Sequence, residues 1–191
     1  DAAGTPVETN EEQYADDLYL LSLYTRLNYG FFERYLLTFS LRRDATSRFA
    51  PEYRVGYFPA AAFAVKLIDN DRTYFNNVKL RTSWGLTGQQ DIGDRYAYLA
   101  RYELSQPNAQ YPFGNTYYNT YRANGYVRNI KWEETHSFNG GLDFSIVNNR
   151  LSGTFDIYKR FTSDLLSSIP LPAGTNLTNI ITTNVGKMES Q

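Results

Sequence analysis

The chain has 191 residues, a formal net charge of −1 and no cysteine. The near balance of charge offers no basic patch for nucleic acid, and the missing thiols exclude disulfides, haem attachment and cysteine-held zinc. With 17 Tyr, 12 Phe and 2 Trp, the aromatic excess suits the interfacial girdles of a membrane barrel, and equally a carbohydrate-binding sandwich.

No run of about 18 apolar residues is present, so a transmembrane helix is excluded. A barrel is not, because its lipid-facing residues alternate with polar ones. Residues 1–16, with Gly4, Pro6, Glu8, Glu11, Glu12 and Asp16, are polar and acidic and read as a loop or mobile arm. They lack a basic n-region and an apolar h-region, so any export signal is expected outside the given chain.

Alternation then begins. Over 17–29, Tyr19, Leu21, Leu23, Thr25, Leu27 and Tyr29 share one parity and Ser22, Tyr24, Arg26 and Asn28 the other, the period of two that belongs to a strand. A short turn around 30–33 leads to a second strand, 34–43, with Tyr35, Leu37, Phe39 and Leu41 on its apolar side. Residues 44–54 are polar, with one proline, and read as a loop. The third strand, 55–67, carries Val55, Tyr57, Pro59, Ala61, Phe63, Val65 and Leu67 on one face. Pro59 removes a ladder donor, so a bulge or a locally broken pairing is expected there. After 69–77, a fourth strand presents Val78, Leu80, Thr82, Trp84 and Leu86 outward and Lys79, Arg81 and Ser83 inward.

Residues 87–130 form the longest stretch without sustained alternation. It is rich in Gly, Pro and Tyr, and short strand-like pieces such as 96–102 fit inside it. Loops of this length are functional or disordered, and the aromatic content argues against disorder. The clearest pattern follows in 131–166. Trp132, His136, Phe138, Leu142, Phe144 and Ile146 share one parity of the first arm, and Leu151, Gly153, Phe155, Ile157 and Phe161 one face of the second. Asn148 and Asn149 between the arms read as a two-residue turn, because Asn tolerates positive φ. Residues 167–183 read as a loop, and 184–191 as the start of a further strand.

The fold predicted is all-β: an antiparallel up-and-down transmembrane barrel segment of about six long strands plus the start of another, not closed on its own, since the smallest such barrels have eight strands. Short connections near Gly30, over 69–77 and at Asn148 are expected on the periplasmic side, and the long loops outside the cell.

At these strands the sequence resembles the SusC/RagA family of TonB-dependent outer-membrane transporters of the Bacteroidota. The matching stretches are RLNYGFFERYLLTFSLRRDATSRFAPEYRVGYFPAAAFA (26–64), VKLRTSWGLTGQQDIG (78–93), IKWEETHSFNGGLDFSIVNNRLSGTFDIYKRFTSDLL (130–166), and IPLPAGT with NVGKMES near the end. The resemblance implies that 1–191 is part of one receptor barrel domain in the outer membrane, whose plug lies outside this chain. It also implies a SusD-like surface lipoprotein as lid, the TonB complex acting through the missing N-terminal part, and import of an oligosaccharide or peptide. The alternative is a soluble glycan-binding β-sandwich, with strands nearer six residues.

Catalytic, cofactor and metal sites are not expected. His136 is the one histidine, so neither a Ser/His/Asp set with a second histidine nor a two-His metal site can be built, and it reads as an interfacial residue. Glu133, Asp143 and Asp156 are expected to face a lumen as solvated wall residues rather than as a glycosidase pair. The Asp-Asn-Asp run at 69–71 lacks the spacing of a calcium loop, and Gly85, Gly88 and Gly93 that of a phosphate loop. The residues expected to meet substrate or partner are Tyr96, Tyr102, Tyr111, Tyr117, Tyr118, Tyr121 and Tyr126, since tyrosine joins a flat apolar face to a hydroxyl. Their other reading is mutual packing that holds the loop in shape.

Overall fold

A computed structural model describes residues 17–69, 74–106, 108–172, 174 and 178–191. The acidic start and the Asn-Asp part of the 69–71 turn therefore lie outside the described residues. The strands are β1 (Leu20–Phe31), β2 (Tyr35–Thr46), β3 (Val55–Asp69), β4 (Phe75–Gln89), β5 (Tyr102–Leu104), β6 (Gln110–Phe113), β7 (Thr116–Asn119), β8 (Tyr121–Ala123), β9 (Glu133–Ile146), β10 (Leu151–Ser163), β11 (Leu166–Pro170), β12 (Ile180–Asn184) and β13 (Lys187–Ser190), with one 3-10 turn at Pro51–Tyr53. Seven of them pair antiparallel in the order β1-β2-β3-β4-β9-β10-β13, an open sheet. Its six long strands and the short β13 match the predicted count. Strands of 12 to 15 residues are not the six-residue strands of the sandwich alternative.

Register sorts the side chains into two faces. Directly paired residues point the same way, so Phe31, Tyr35, Val65, Leu80, Leu142 and Phe155 form one continuous row across six strands. Asn28, Thr38, Ala62, Ser83, Asn139 and Tyr158 form a row of the opposite face. The alternation in the sequence is thus carried across the whole sheet, apolar against apolar. Lys159 is a charge of the apolar parity, opposite Phe138. It is neutralised by Glu189 of β13 at 2.6 Å and lies over the Phe161 ring.

At Pro59 there is no bulge; the pairing is broken on one side, the second of the two expected outcomes. Lys66 N donates to Arg34 O across the β2–β3 ladder, so with unbroken register the alternating bonds leave the Pro59–Leu41 pair non-hydrogen-bonded on that side. On the other side the β3–β4 ladder ends one residue short of it, at Ala60 and Gly85. The register shift lies instead between Lys66 and Ile68.

The first tight turn falls close to where it is expected, and the second is broader. Phe32, Glu33 and Arg34 link β1 to β2, closed by Arg34 N donating to Phe31 O at 3.1 Å. Residues 147–150 link β9 to β10, with positive φ at Asn148 and Asn149 as read, and also at Val147 (φ 54°). The loop expected over 167–183 holds a second ribbon, β11 paired with β12.

Trp132 corrects the sequence reading. It precedes β9 instead of standing in the outward row with His136, and its ring is buried against Phe49 and Phe58. With Ile92, Ala97 and Ile130 these form the buried cluster, at the long-loop end of the sheet. Trp132 Nε1 donates to Arg54 O at 3.2 Å. A Cβ on Gly56 would lie 2.5 Å from the Phe58 ring, so glycine is what lets this ring lie flat on the strand. A wall one sheet thick has no interior; only the loop bases fold over one another enough to make one.

Candidate functional site

Two regions present chemistry: the polar face of the wall and the loop 87–130. On the wall, Arg81 of β4 reaches Asp143 of β9 at 3.0 Å and Asp156 of β10 at 2.9 Å. Gly141 stands between Arg81 and Asp156 in the register. A Cβ there would sit 2.5 Å from Asp156 Oδ1 and 2.9 Å from Arg81 Cζ, so only glycine leaves room for the bridge. Thr154 Oγ1 also donates to Asp143. Beside the triad, Thr38, Ala62, Ala64, Ser83 and Asn139 line a shallow trough of about 280 Å³. Asp143 and Asp156 thus face one side as predicted, bound to one guanidinium. Glu133 is elsewhere, accepting from Leu166 N at 2.9 Å.

The base of the long loop is locked by ion pairs. Arg101 Nη2 donates to both oxygens of Asp94, at 2.9 and 2.8 Å, and its guanidinium covers Tyr96. Arg48 meets Asp91 at 2.7 Å. The Arg48 hydrogen bond, the Gly93 amide and the Arg48 charge hold the Asp91 carboxyl below the ordinary carboxylate range. Tyr98, which the sequence reading did not single out, packs on the buried cluster, and its hydroxyl accepts from Arg54 Nη2. No strand forms over 96–101. Turns replace it, because Asp94 caps the Tyr96 amide, and pairing begins only at Tyr102.

Beyond the base the loop is a ribbon, β5 against β8 and β6 against β7. Five of the seven predicted tyrosines stand on it, with Tyr111 opposite Tyr118, Tyr117 opposite Pro112, Tyr102 opposite Ala123 and Tyr121 opposite Leu104. All five are exposed. Among the described residues no ring pair joins any two of the seven, so mutual stacking does not hold the loop. Tyr96 and Tyr126 lie apart, in the base. Phe113, at the ribbon tip, is exposed like the five.

Among the described residues no three His, Cys, Asp or Glu side chains gather as a metal site. His136 lies on the apolar face, its ring stacked on Trp84 at 6.3 Å.

The profile of the family described as TonB dependent receptor-like, beta-barrel, matches residues 2–191. The chain belongs to this family. The receptor segment is 45% identical over 181 residues to the TonB-dependent receptor SusC of Bacteroides thetaiotaomicron, covering 93% of this chain and 18% of SusC. A TonB-dependent receptor of Formosa agariphila is 35% identical over 176 residues, covering 90% of this chain and 16% of its own. Among solved structures, the RagAB peptide transporter superposes with a TM-score of 0.77 at 27% identity, over 90% of this chain and 19% of that one. The segment therefore spans about a fifth of the length of these relatives. The resemblance to SusC and RagA, the open antiparallel sheet and the membership of an outer-membrane receptor family all agree with the sequence reading.

Proposed function

We propose that residues 1–191 are one part of the barrel wall of an outer-membrane importer, with the plug supplied by another part of the same protein. The observation that carries this reading is the continuous apolar row on one face of six long strands, backed by a polar row on the other. A strand of about 12 residues rises about 40 Å. Tilted by about 40°, it covers the apolar band of about 25 Å that a barrel presents to lipid. The polar face, with the Arg81 triad and its trough, lines the path. The tight turns lie on the periplasmic side, and the 87–130 loop stands outside the cell.

Similarity to SusC and to the RagAB transporter supports import of an oligosaccharide or a peptide, with a SusD-like lipoprotein over the mouth and the TonB complex supplying energy to the plug. The activity is transport, with no bond broken by this segment. The test is fractionation of the intact protein followed by mass spectrometry of what copurifies. Recovery in the outer membrane with a lipoprotein and a retained oligosaccharide or peptide is expected. Recovery as a soluble monomer without detergent overturns the reading.

A further inference from the structure

The ribbon is distinguished by what its sequence omits. Residues 104–121 contain no Asp, Glu, Lys, Arg or His, in a chain that is 20% charged. The two charges at its foot, Glu103 and Arg122, stand directly opposite and neutralise each other at 2.5 Å. Residues 105–120 also contain no Leu, Ile, Val or Met. What remains is aromatic rings, hydroxyls and amides, with a few proline, alanine and glycine residues.

Register places these groups. Tyr111 and Tyr118 are paired, as are Phe113 and Thr116, so all four share one face of the β6–β7 hairpin. On the opposite face Gln110 Nε2 donates to Asn119 Oδ1 at 2.9 Å, which holds the register without occupying the aromatic side. Facing tyrosines in a ladder gain by resting on each other. Here the two are 62% and 55% exposed and do not stack, and Phe113 beside them is 71% exposed. Their ring faces are open.

The composition narrows what can lie there. A charged peptide or an anionic ligand would lose hydration against this face with no counter-charge to meet it. A lipid chain calls for the aliphatic side chains that this stretch lacks, and a protein interface, which also uses Tyr and Phe, draws on arginine and methionine, of which residues 104–121 have none. A pyranose ring has an apolar C–H face that matches a phenol ring and hydroxyls that match tyrosine and threonine oxygens.

We propose that the Tyr111, Phe113, Tyr118 face of the ribbon is a binding surface for an uncharged oligosaccharide, with the rings as stacking platform and Thr116 and the phenol hydroxyls as polar contacts. The proposal rests on the importer reading for the position of the ribbon outside the cell, and it resolves the cargo left open there in favour of a neutral glycan.

The test uses the full-length receptor in detergent on an array of uncharged and anionic oligosaccharides, with charged and uncharged peptides alongside, followed by titration calorimetry of the ligands retained. Uncharged oligosaccharides are expected to bind. The pair Tyr111→Ala and Tyr118→Ala should weaken binding roughly tenfold or more, while Tyr111→Phe with Tyr118→Phe, which keeps both rings, stays within about threefold. Heat-modifiable migration on gels confirms that each variant is a folded barrel. Unchanged affinity in the alanine pair overturns the proposal, as does a wild-type receptor that binds only peptides or anionic glycans, or no uncharged glycan. These results leave the importer reading standing, since it falls only if the intact protein is not in the outer membrane.

Discussion

Arg81 and Asp156 meet at 2.9 Å although their strands, β4 and β10, are not neighbours. The strand between them, β9, presents Gly141 at that point, and the absent side chain opens a passage from one strand to the next but one. Arg81 also holds Asp143, so one guanidinium ties together three strands on the polar face.

The gap at Gly141 decides whether the bridge can form. Gly141→Val should swing the Arg81 and Asp156 side chains apart at a cost of about 1 kcal/mol or less, since both contacts are the free ends of flexible side chains more than a third exposed. Asp156→Asn should cost less still, because it leaves the space untouched and water already screens the pair. Urea unfolding of the folded receptor in detergent measures both. A larger loss for Asp156→Asn than for Gly141→Val would mean that charge, not space, dominates here.

The two faces of the wall should respond oppositely to a new charge. Leu37 and Phe155 belong to the apolar side and Ser40 to the polar side. Leu37→Arg or Phe155→Arg should cost about 2–4 kcal/mol and block assembly, while Ser40→Arg is tolerated. The readout is the yield of heat-modifiable barrel in outer-membrane fractions. Equal yields at all three positions would remove the lipid-facing assignment.

Val147 holds φ at 54°, a region that a β-branched residue enters only under strain. Its amide donates to Tyr74 O at 3.0 Å, and Asn149 N donates to Asn76 Oδ1, so the turn is pinned to β4 in this shape. Val147→Gly should relieve the strain and raise stability by about 1 kcal/mol. A lower urea midpoint in the glycine variant would show that the valine side chain contributes more by contact than it costs by conformation.

The Arg48–Asp91 pair should make the base of the long loop sensitive to acid. The folded carboxyl titrates below its ordinary value of 3.8, so the pair's contribution is fully present above that value and is lost as pH falls through the lower, folded one. Pepsin, active in this range, should cut within 87–130 more readily as pH drops toward and below the ordinary value. In Asp91→Asn the added dependence on pH disappears. An unchanged cleavage profile in that variant would place the acid-sensitive contact elsewhere.

Trp132 shows where reading by period fails. It shares parity with His136 and Phe138, and parity alone assigned it outward. The chain turns before β9 begins, and the indole instead enters the cluster with Phe49 and Phe58, from which Trp132→Ala should remove about 3–5 kcal/mol. No local feature of the residues around Trp132 announces this, because its partners are about 80 residues away in sequence.

The sequence by itself determined the wall. Alternation of Tyr35, Leu37, Phe39 and Leu41, or of Leu151 to Ile157, is a local property, since the pleat sends successive side chains to opposite faces whatever the neighbouring strand. It was enough to count six long strands, to give each a polar and an apolar side, and to place the tyrosines in one loop. Tertiary structure decided what register alone can decide: which residues stand in one row, on which side of Pro59 the pairing breaks, that Gly141 lets Arg81 reach Asp156, and that Tyr111 faces Tyr118 with open rings. These relations join residues brought together by pairing between strands, and a one-residue slip would have reassigned every one of them.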